Sequence, residues 1–353
     1  MMAGHLAGAA PQGMTATYVR LDPLLEPALA DEMVRLCERF GSYSTYGAES
    51  AAEEGGKRRF AAEIPERYDA AIHFVRTGGR FGRREDPAVL AARTNYFRET
   101  YFYEKPIAPG IEPFLDHEGL RNAARRVHGR PLIVPSIVYA NLLLPGQELA
   151  VHTDVPEFRG ANRTVLPQWL LVVMHHSGRF AAWRRPIATA VAYFNDCAGG
   201  EFAFYPDGAD APPAALPVQF NTAVVLDTDS VFHGVDRVRG EDAVPPFRRD
   251  MKLAFEGGGV WRLFAGADTL ARYRWDQIRY SVSWKAYCYE DEADRRRTER
   301  HEDDLGLEQI LGELESDLRR RGRLSGPRPD ENEFALRLIE EYVRFPRPAA
   351  GAG

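Results

Sequence analysis

The sequence predicts a mostly β core, a two-sheet antiparallel sandwich or jelly roll, with helical additions at both ends. Three observations predict it. About eight short apolar, β-branched runs follow one another between residues 131 and 290, with few helical patterns among them. Before them, residues 18–130 read as a mainly helical support region. After them, residues 291–345 turn strongly charged, with apolar residues at helical spacing.

In chain order, residues 1–17 are Ala/Gly-rich but lack a basic start and a continuous apolar run, so they read as a disordered tail and not a signal peptide. Apolar positions 29, 33, 36 and 37 predict a helix over about 28–39, ended by Gly41. The stretch to Arg58 reads as a loop, and 64–77 and 87–93 as short helices. Arg80, Arg83 and Arg84 read as a solvated loop, with a contact to a substrate carboxylate or phosphate as the sharper alternative. Residues 94–103 are aromatic and strand-like. Residues 113–128 place Leu115, Leu120, Ala123, Ala124 and Val127 on one helical face.

The β pattern begins with 133–134 and 137–144, bounded by turn residues. A strand around His152 follows, then 169–174, 187–194, 201–205, 223–226, 231–238 and 279–289. Residues 239–277 interrupt the step between the last two, and 251–256 with 260–264 predict a hairpin about Gly257-Gly258-Gly259. Beyond residue 290, Leu305, Leu307, Ile310, Leu311, Leu314 and Leu318 predict an amphipathic helix. Residues 325–329 read as a linker, 331–344 as a last helix, and 346–353 as a disordered tail. The apolar faces of these C-terminal helices suit packing on the core, or a homodimer contact.

Bulk composition narrows the function. Net charge is −6, from 45 basic and 51 acidic residues, which makes no case for nucleic-acid binding. Only Lys57, Lys105, Lys252 and Lys285 are lysines. Cys37, Cys197 and Cys288 are too few and too scattered for a disulfide framework or a CxxC zinc site, which points to a reducing, cytoplasmic home. No apolar run approaches the roughly eighteen residues that span a bilayer.

The chemistry centres on the run from Leu144 to Asp154, a Pro145-Gly146 turn leading into His152-Thr153-Asp154. On a strand, residues i and i+2 share a face, so His152 and Asp154 can present a nitrogen and an oxygen to one point. His233, in the strand-like 231–238 run, supplies a third ligand. Two His and one carboxylate make the facial triad that binds non-haem Fe(II) and leaves positions open. His175 and His176, adjacent on an expected strand, face opposite sides and cannot both reach one metal. His73, His117 and His128 show no paired ligand pattern.

The order His-x-Asp, then His, then Arg279-x-Ser281 on successive strands resembles the Fe(II)/2-oxoglutarate-dependent dioxygenases, most closely the prolyl-hydroxylase-like branch. The resemblance covers roughly residues 132–290. It implies a double-stranded β-helix (a jelly roll, cupin-like) and a reaction in which 2-oxoglutarate and O2 give succinate and CO2 while a C–H bond is oxidised, usually to hydroxyl. It implies that Arg279 pairs with the distal carboxylate of 2-oxoglutarate, with Ser281 adding a hydroxyl; Arg237 is the rival. Tyr139 and Asn141 are expected near the cosubstrate or the ligands. Asp154 argues against a halogenase, which has a small residue there. The 239–277 insertion departs from the simpler members and leaves the choice between Arg279 and Arg237 open.

Two other functions remain at this stage. One is a cupin-like metal enzyme that does not use 2-oxoglutarate; the other is a non-catalytic jelly-roll binding protein. The substrate expected is a free amino acid, a peptidyl residue or a small metabolite, because fold does not fix substrate.

Overall fold

A computed structural model describes residues 15–46, 60–78, 86–240 and 244–347. Arg80, Arg83 and Arg84, residues 1–14 of the expected N-terminal tail and residues 348–353 of the C-terminal one lie outside the described residues.

Strand β1 (Tyr18–Leu21) precedes helix α1 (Pro27–Phe40), which Pro27 starts and Gly41 ends in a left-handed conformation. Then come β2 (Ser42–Thr45), α2 (Tyr68–Thr77), α3 (Pro87–Thr94), β3 (Phe97–Tyr103) and β4 (Lys105–Pro106). The expected 113–128 helix is two helices, α4 (Glu112–Leu115) and α5 (Glu118–His128), with the break at Asp116-His117.

Strand β5 (Leu132–Leu143) merges the two runs expected at 133–134 and 137–144. Pro135 is tolerated inside it because the ladder to the neighbouring strand shifts register there. The next strands are β6 (Leu149–His152) and β7 (Glu157–Phe158).

Residues 169–174, expected as a strand, instead lie in helix α6 (Gln168–Ser177). Trp169 to Met174 are all buried, so the run is apolar on every side and carries no period that separates helix from strand. The stop was legible: Gly178 takes a left-handed conformation directly after it. His175 and His176 therefore follow one another around a helix.

The remaining strands are β8 (Arg184–Arg185), β9 (Ile187–Tyr193), β10 (Phe202–Phe204), β11 (Ala214–Leu216), β12 (Thr222–Leu226), β13 (His233–Val235), β14 (Met251–Gly257), β15 (Val260–Ala265), β16 (Asp268–Arg274) and β17 (Arg279–Tyr289). The hairpin expected from the glycine triplet is present as β14–β15, and β16 extends it to a three-stranded meander. Helices α7 (Glu292–Glu299), α8 (Leu307–Arg320) and α9 (Glu331–Tyr342) close the described chain. Helix α7, which sequence reading did not anticipate, buries none of its residues and so shows no apolar stripe.

Most of the β structure forms one antiparallel sheet, ordered β1-β12-β9-β17-β5-β3-β2-β14-β15-β16, with β4 beside β3. A second antiparallel sheet has the order β11-β10-β13-β6. Alternation sorts the large sheet's side chains. Val138, Ala140, Leu142, Val282, Trp284 and Ala286 join a core with α1 and α5. The opposite face carries Tyr139, Asn141, Tyr193, Arg279, Ser281, Ser283 and Lys285.

The apolar faces of α8 and α9 are buried within this chain, where Ile310, Leu314, Leu338 and Ile339 share a cluster with Trp169 and Leu170 of α6. Among the described residues, no helix is long and apolar enough to cross a membrane.

Candidate metal centre

Strands β6 and β13 bring the first two ligands together, with His152 directly opposite His233 in the ladder. Gly234 permits this approach, because a Cβ there would fall 2.7 Å from the Leu149 carbonyl oxygen. The imidazole centroids are 4.4 Å apart. Strand β6 ends at His152, so Asp154 lies just beyond it. The Asp154 backbone N–H donates to the Thr228 carbonyl (2.8 Å), which ties the carboxylate to the loop before β13.

Asp154 Oδ1 lies 3.5 Å from His152 Nε2 and 3.7 Å from His233 Nε2. One ligand atom from each residue falls within 4.8 Å of the others. His152 Nδ1 is 2.7 Å from the Ala150 carbonyl oxygen, and His233 Nδ1 is 2.9 Å from that of Val231. A carbonyl only accepts, so each Nδ1 must carry a proton, which in the neutral ring makes Nε2 the nitrogen that can face a metal. Burial, with His152 alongside, pushes His233 down to about 4, so it is neutral at physiological pH. Burial opposes ionisation of Asp154, but the Lys285 ammonium beside it prevails and holds the carboxyl well below its usual range.

Lys285 is one residue that sequence reading missed. Its Nζ lies 2.6 Å from Asp154 Oδ2, leaving Oδ1 to the side of the two imidazoles. The available signals were its rarity and its place in the alternating row Arg279, Ser281, Ser283, Lys285. His175 and His176 are not in the ligand cluster; His175 Nε2 is 3.0 Å from Ser230 Oγ.

Arg279 is 1% exposed. Its Nε donates to the Gly200 carbonyl (2.7 Å), Nη1 to Ser281 Oγ (2.9 Å) and Nη2 to Tyr193 OH (2.9 Å). Gly200 makes room for it, since a Cβ there would lie 2.7 Å from Arg279 Cδ. Among the described residues, no carboxylate lies within ion-pair distance of this cation. A buried guanidinium without a counter-charge costs roughly several kcal/mol, which an anion beside it would offset. Tyr193, also missed in sequence reading, completes this hydrogen-bonding set. Arg237 instead donates to Glu148 Oε1 at 3.0 Å.

Tyr139 and Asn141 point to the same face of β5. Asn141 Oδ1 accepts from Arg98 Nε (2.9 Å), its Nδ2 donates to Ser283 Oγ (3.3 Å), and the Tyr139 ring lies 3.8 Å from Arg98 Cζ.

Two imidazole nitrogens and one carboxylate oxygen suit a divalent first-row metal, and two His with one carboxylate and open positions is the Fe(II) pattern. Solved structures similar to this chain include 2-oxoglutarate/Fe(II) oxygenases and prolyl hydroxylases. A Pseudomonas putida prolyl-4-hydroxylase aligns at 14% identity over 77% of this chain and 92% of its own, with a TM-score of 0.36. A viral collagen prolyl hydroxylase from Paramecium bursaria Chlorella virus-1, in complex with 2-oxoglutarate, aligns at 9% identity over 77% and 97%, with a TM-score of 0.36. HygX from Streptomyces hygroscopicus, with nickel and 2-oxoglutarate bound, aligns at 10% identity over 78% and 83%, with a TM-score of 0.39. No family model matches the sequence, and no curated protein does. At identities this low, the functional reading rests on the side chains of the site.

Proposed function

We propose that this chain is an Fe(II)- and 2-oxoglutarate-dependent oxygenase that hydroxylates an unactivated C–H bond of an amino-acid, peptidyl or small-metabolite substrate. The observation that carries this reading is a pairing. A His152, Asp154 and His233 ligand set lies beside a sheet face on which Arg279 is buried with no counter-ion among the described residues. The large and small sheets are read as the two sheets of a double-stranded β-helix, with the triad at the small sheet's β6–β13 pair.

His152, Asp154 and His233 would hold the iron. Arg279, with Tyr193 and Ser281, would take the distal carboxylate of 2-oxoglutarate in a charge-assisted pair. Lys285 positions Asp154 by occupying Oδ2 and so presents a single oxygen to the metal. Asn141 and Ser283 brace the sheet face between the two groups. When bound, Fe(II) and 2-oxoglutarate supply the oxidation: one oxygen atom of O2 enters the substrate C–H bond, the other enters succinate, and CO2 leaves.

Cys37, Cys197 and Cys288 are free thiols, and a reducing cytoplasm, which preserves both thiols and Fe(II), is the compartment proposed. A homodimer through α8 or α9 would need faces other than the apolar ones, which are already buried in a cluster of this chain.

The test is 2-oxoglutarate turnover. Protein supplied with Fe(II), O2 and 2-oxoglutarate should release succinate slowly without substrate and faster during a screen of candidate substrates. Metal binding with no 2-oxoglutarate consumption would move the protein to the cupin-like metal enzymes. Metal binding without any turnover or O2 uptake would make it a binding protein.

A further inference from the structure

We propose that the substrate carries a carboxylate and that Arg98 receives it beside the metal centre. The position next to the reacting group rests on the iron reading above; the anion site itself does not.

Arg98 lies on β3, opposite Asn141 of β5. Its head is fixed on three sides. Nε donates to Asn141 Oδ1, and Cζ lies 3.8 Å from the Tyr139 ring centroid and 4.4 Å from that of Tyr46. Tyr46 in turn stacks on Tyr96, with centroids 5.1 Å apart. Asn141 cannot turn away freely, because its amide nitrogen is held by Ser283.

The rest of the guanidinium is unused. Among the described residues, Arg98 Nη1 and Nη2 make no hydrogen bond, and neither is sealed from solvent. Among the described residues the hydroxyls of Tyr96 and Tyr139 likewise have no partner, and they are not sealed. No carboxylate lies within ion-pair distance of Arg98 among the described residues. Its cationic neighbours around the centre differ: Arg67 is paired with Asp69, Arg184 with Asp227, Arg185 with Glu157 and Lys285 with Asp154. Arg279 likewise has no carboxylate within ion-pair distance among the described residues, and 2-oxoglutarate is proposed for it.

Arg98 thus presents two coplanar N–H pairs, gripped from behind, that solvent still reaches. That fork matches the two oxygens of a carboxylate, and ring stacking fixes its plane before a ligand arrives. Asn141, the partner of Arg98, shares a sheet face with Lys285, whose ammonium holds Asp154, which places the fork on the metal side of the sheet. A carboxylate held there would leave the remainder of the substrate to extend towards the open positions on the metal.

The probe is benzoate, with benzamide as its uncharged isostere, titrated into full-length protein loaded with Mn(II) and 2-oxoglutarate. Broadening of the ligand's ring-proton signals by Mn(II) reports binding near the metal. Benzoate should broaden saturably, benzamide should bind at least roughly tenfold more weakly, and Arg98→Gln should lose benzoate while binding 2-oxoglutarate within about twofold of wild type. Arg98→Lys, which keeps charge but not the fork, should fall between; a thermal melt of each variant reports folding. No saturable benzoate binding, equal binding of benzamide, or unchanged benzoate binding in Arg98→Gln would overturn the proposal. So would a loss of 2-oxoglutarate affinity in Arg98→Gln as large as in Arg279→Gln, which would assign Arg98 to the cosubstrate. If wild type binds neither Mn(II) nor 2-oxoglutarate, the iron reading fails on its own. Calorimetric titration with benzoate in wild type and Arg98→Gln then decides the anion site alone.

Discussion

Lys285 Nζ lies 2.6 Å from Asp154 Oδ2, while Oδ1 of the same carboxylate sits 3.5 Å and 3.7 Å from the two imidazole Nε2 atoms. The ammonium thus divides the carboxylate into an oxygen held by the protein and an oxygen left for a metal. Without it, the carboxylate could rotate or turn both oxygens inward. Lys285→Met should weaken Mn(II) or Co(II) binding by roughly 10–100-fold, the usual effect of removing a partner behind a metal ligand. Calorimetric titration measures it, and unchanged affinity would reduce Lys285 to a charge that merely neutralises the apo site.

The two candidate clamps are told apart by what already holds them. Arg279 is buried with neutral partners only, whereas Arg237 donates to Glu148. Arg279→Gln should weaken 2-oxoglutarate binding to the Mn(II)-loaded protein by about 1.5–3 kcal/mol, the range for a hydrogen bond to a charged group. Arg237→Gln should leave it nearly unchanged. The opposite pattern would transfer the clamp to Arg237.

Asp229 gives a pH test of the loop that ties down Asp154. It is fully buried, neither oxygen has a hydrogen-bond partner, and the nearest cation is Arg184 Nη2 at 3.6 Å. Burial, with the Asp227 charge beside it, pushes the carboxyl up to about 7 from 3.8. The fold therefore holds a proton that the unfolded chain has lost, and this contribution is full below 3.8 and declines as pH rises to about 7. Asp229→Asn should stabilise the protein relative to wild type at about pH 8, by on the order of a few kcal/mol, with the advantage shrinking towards pH 4. Urea unfolding at several pH values measures it; an advantage independent of pH would contradict the buried-carboxyl account.

How much of this was legible beforehand depends on range. His152 and Asp154 were readable because they are two residues apart, and His233 and Arg279 because each stands in a strand-like run of its own. The ladder then places His233 opposite His152, a register that Gly234 permits but that no local pattern announces. Lys285 sits in the same alternating row as Arg279, yet its partner is 131 residues away, so its role appears only when β17 meets the β6 end. Arg98 was hidden for a similar reason: nothing in 94–103 says that this strand joins the large sheet at β5. Trp169 to Met174 misled because burial on all sides removes the period on which helix and strand assignments depend.

The central claim is that His152, Asp154 and His233 hold Fe(II) with positions left for 2-oxoglutarate. The most direct measurement is an anaerobic titration of the purified protein with Fe(II) and then 2-oxoglutarate, followed by visible absorption. The account predicts a weak metal-to-ligand charge-transfer band that needs both additions and is absent in Asp154→Ala, whose far-ultraviolet circular dichroism should match wild type. Iron binding without the band, or a band of full strength in Asp154→Ala, would contradict it.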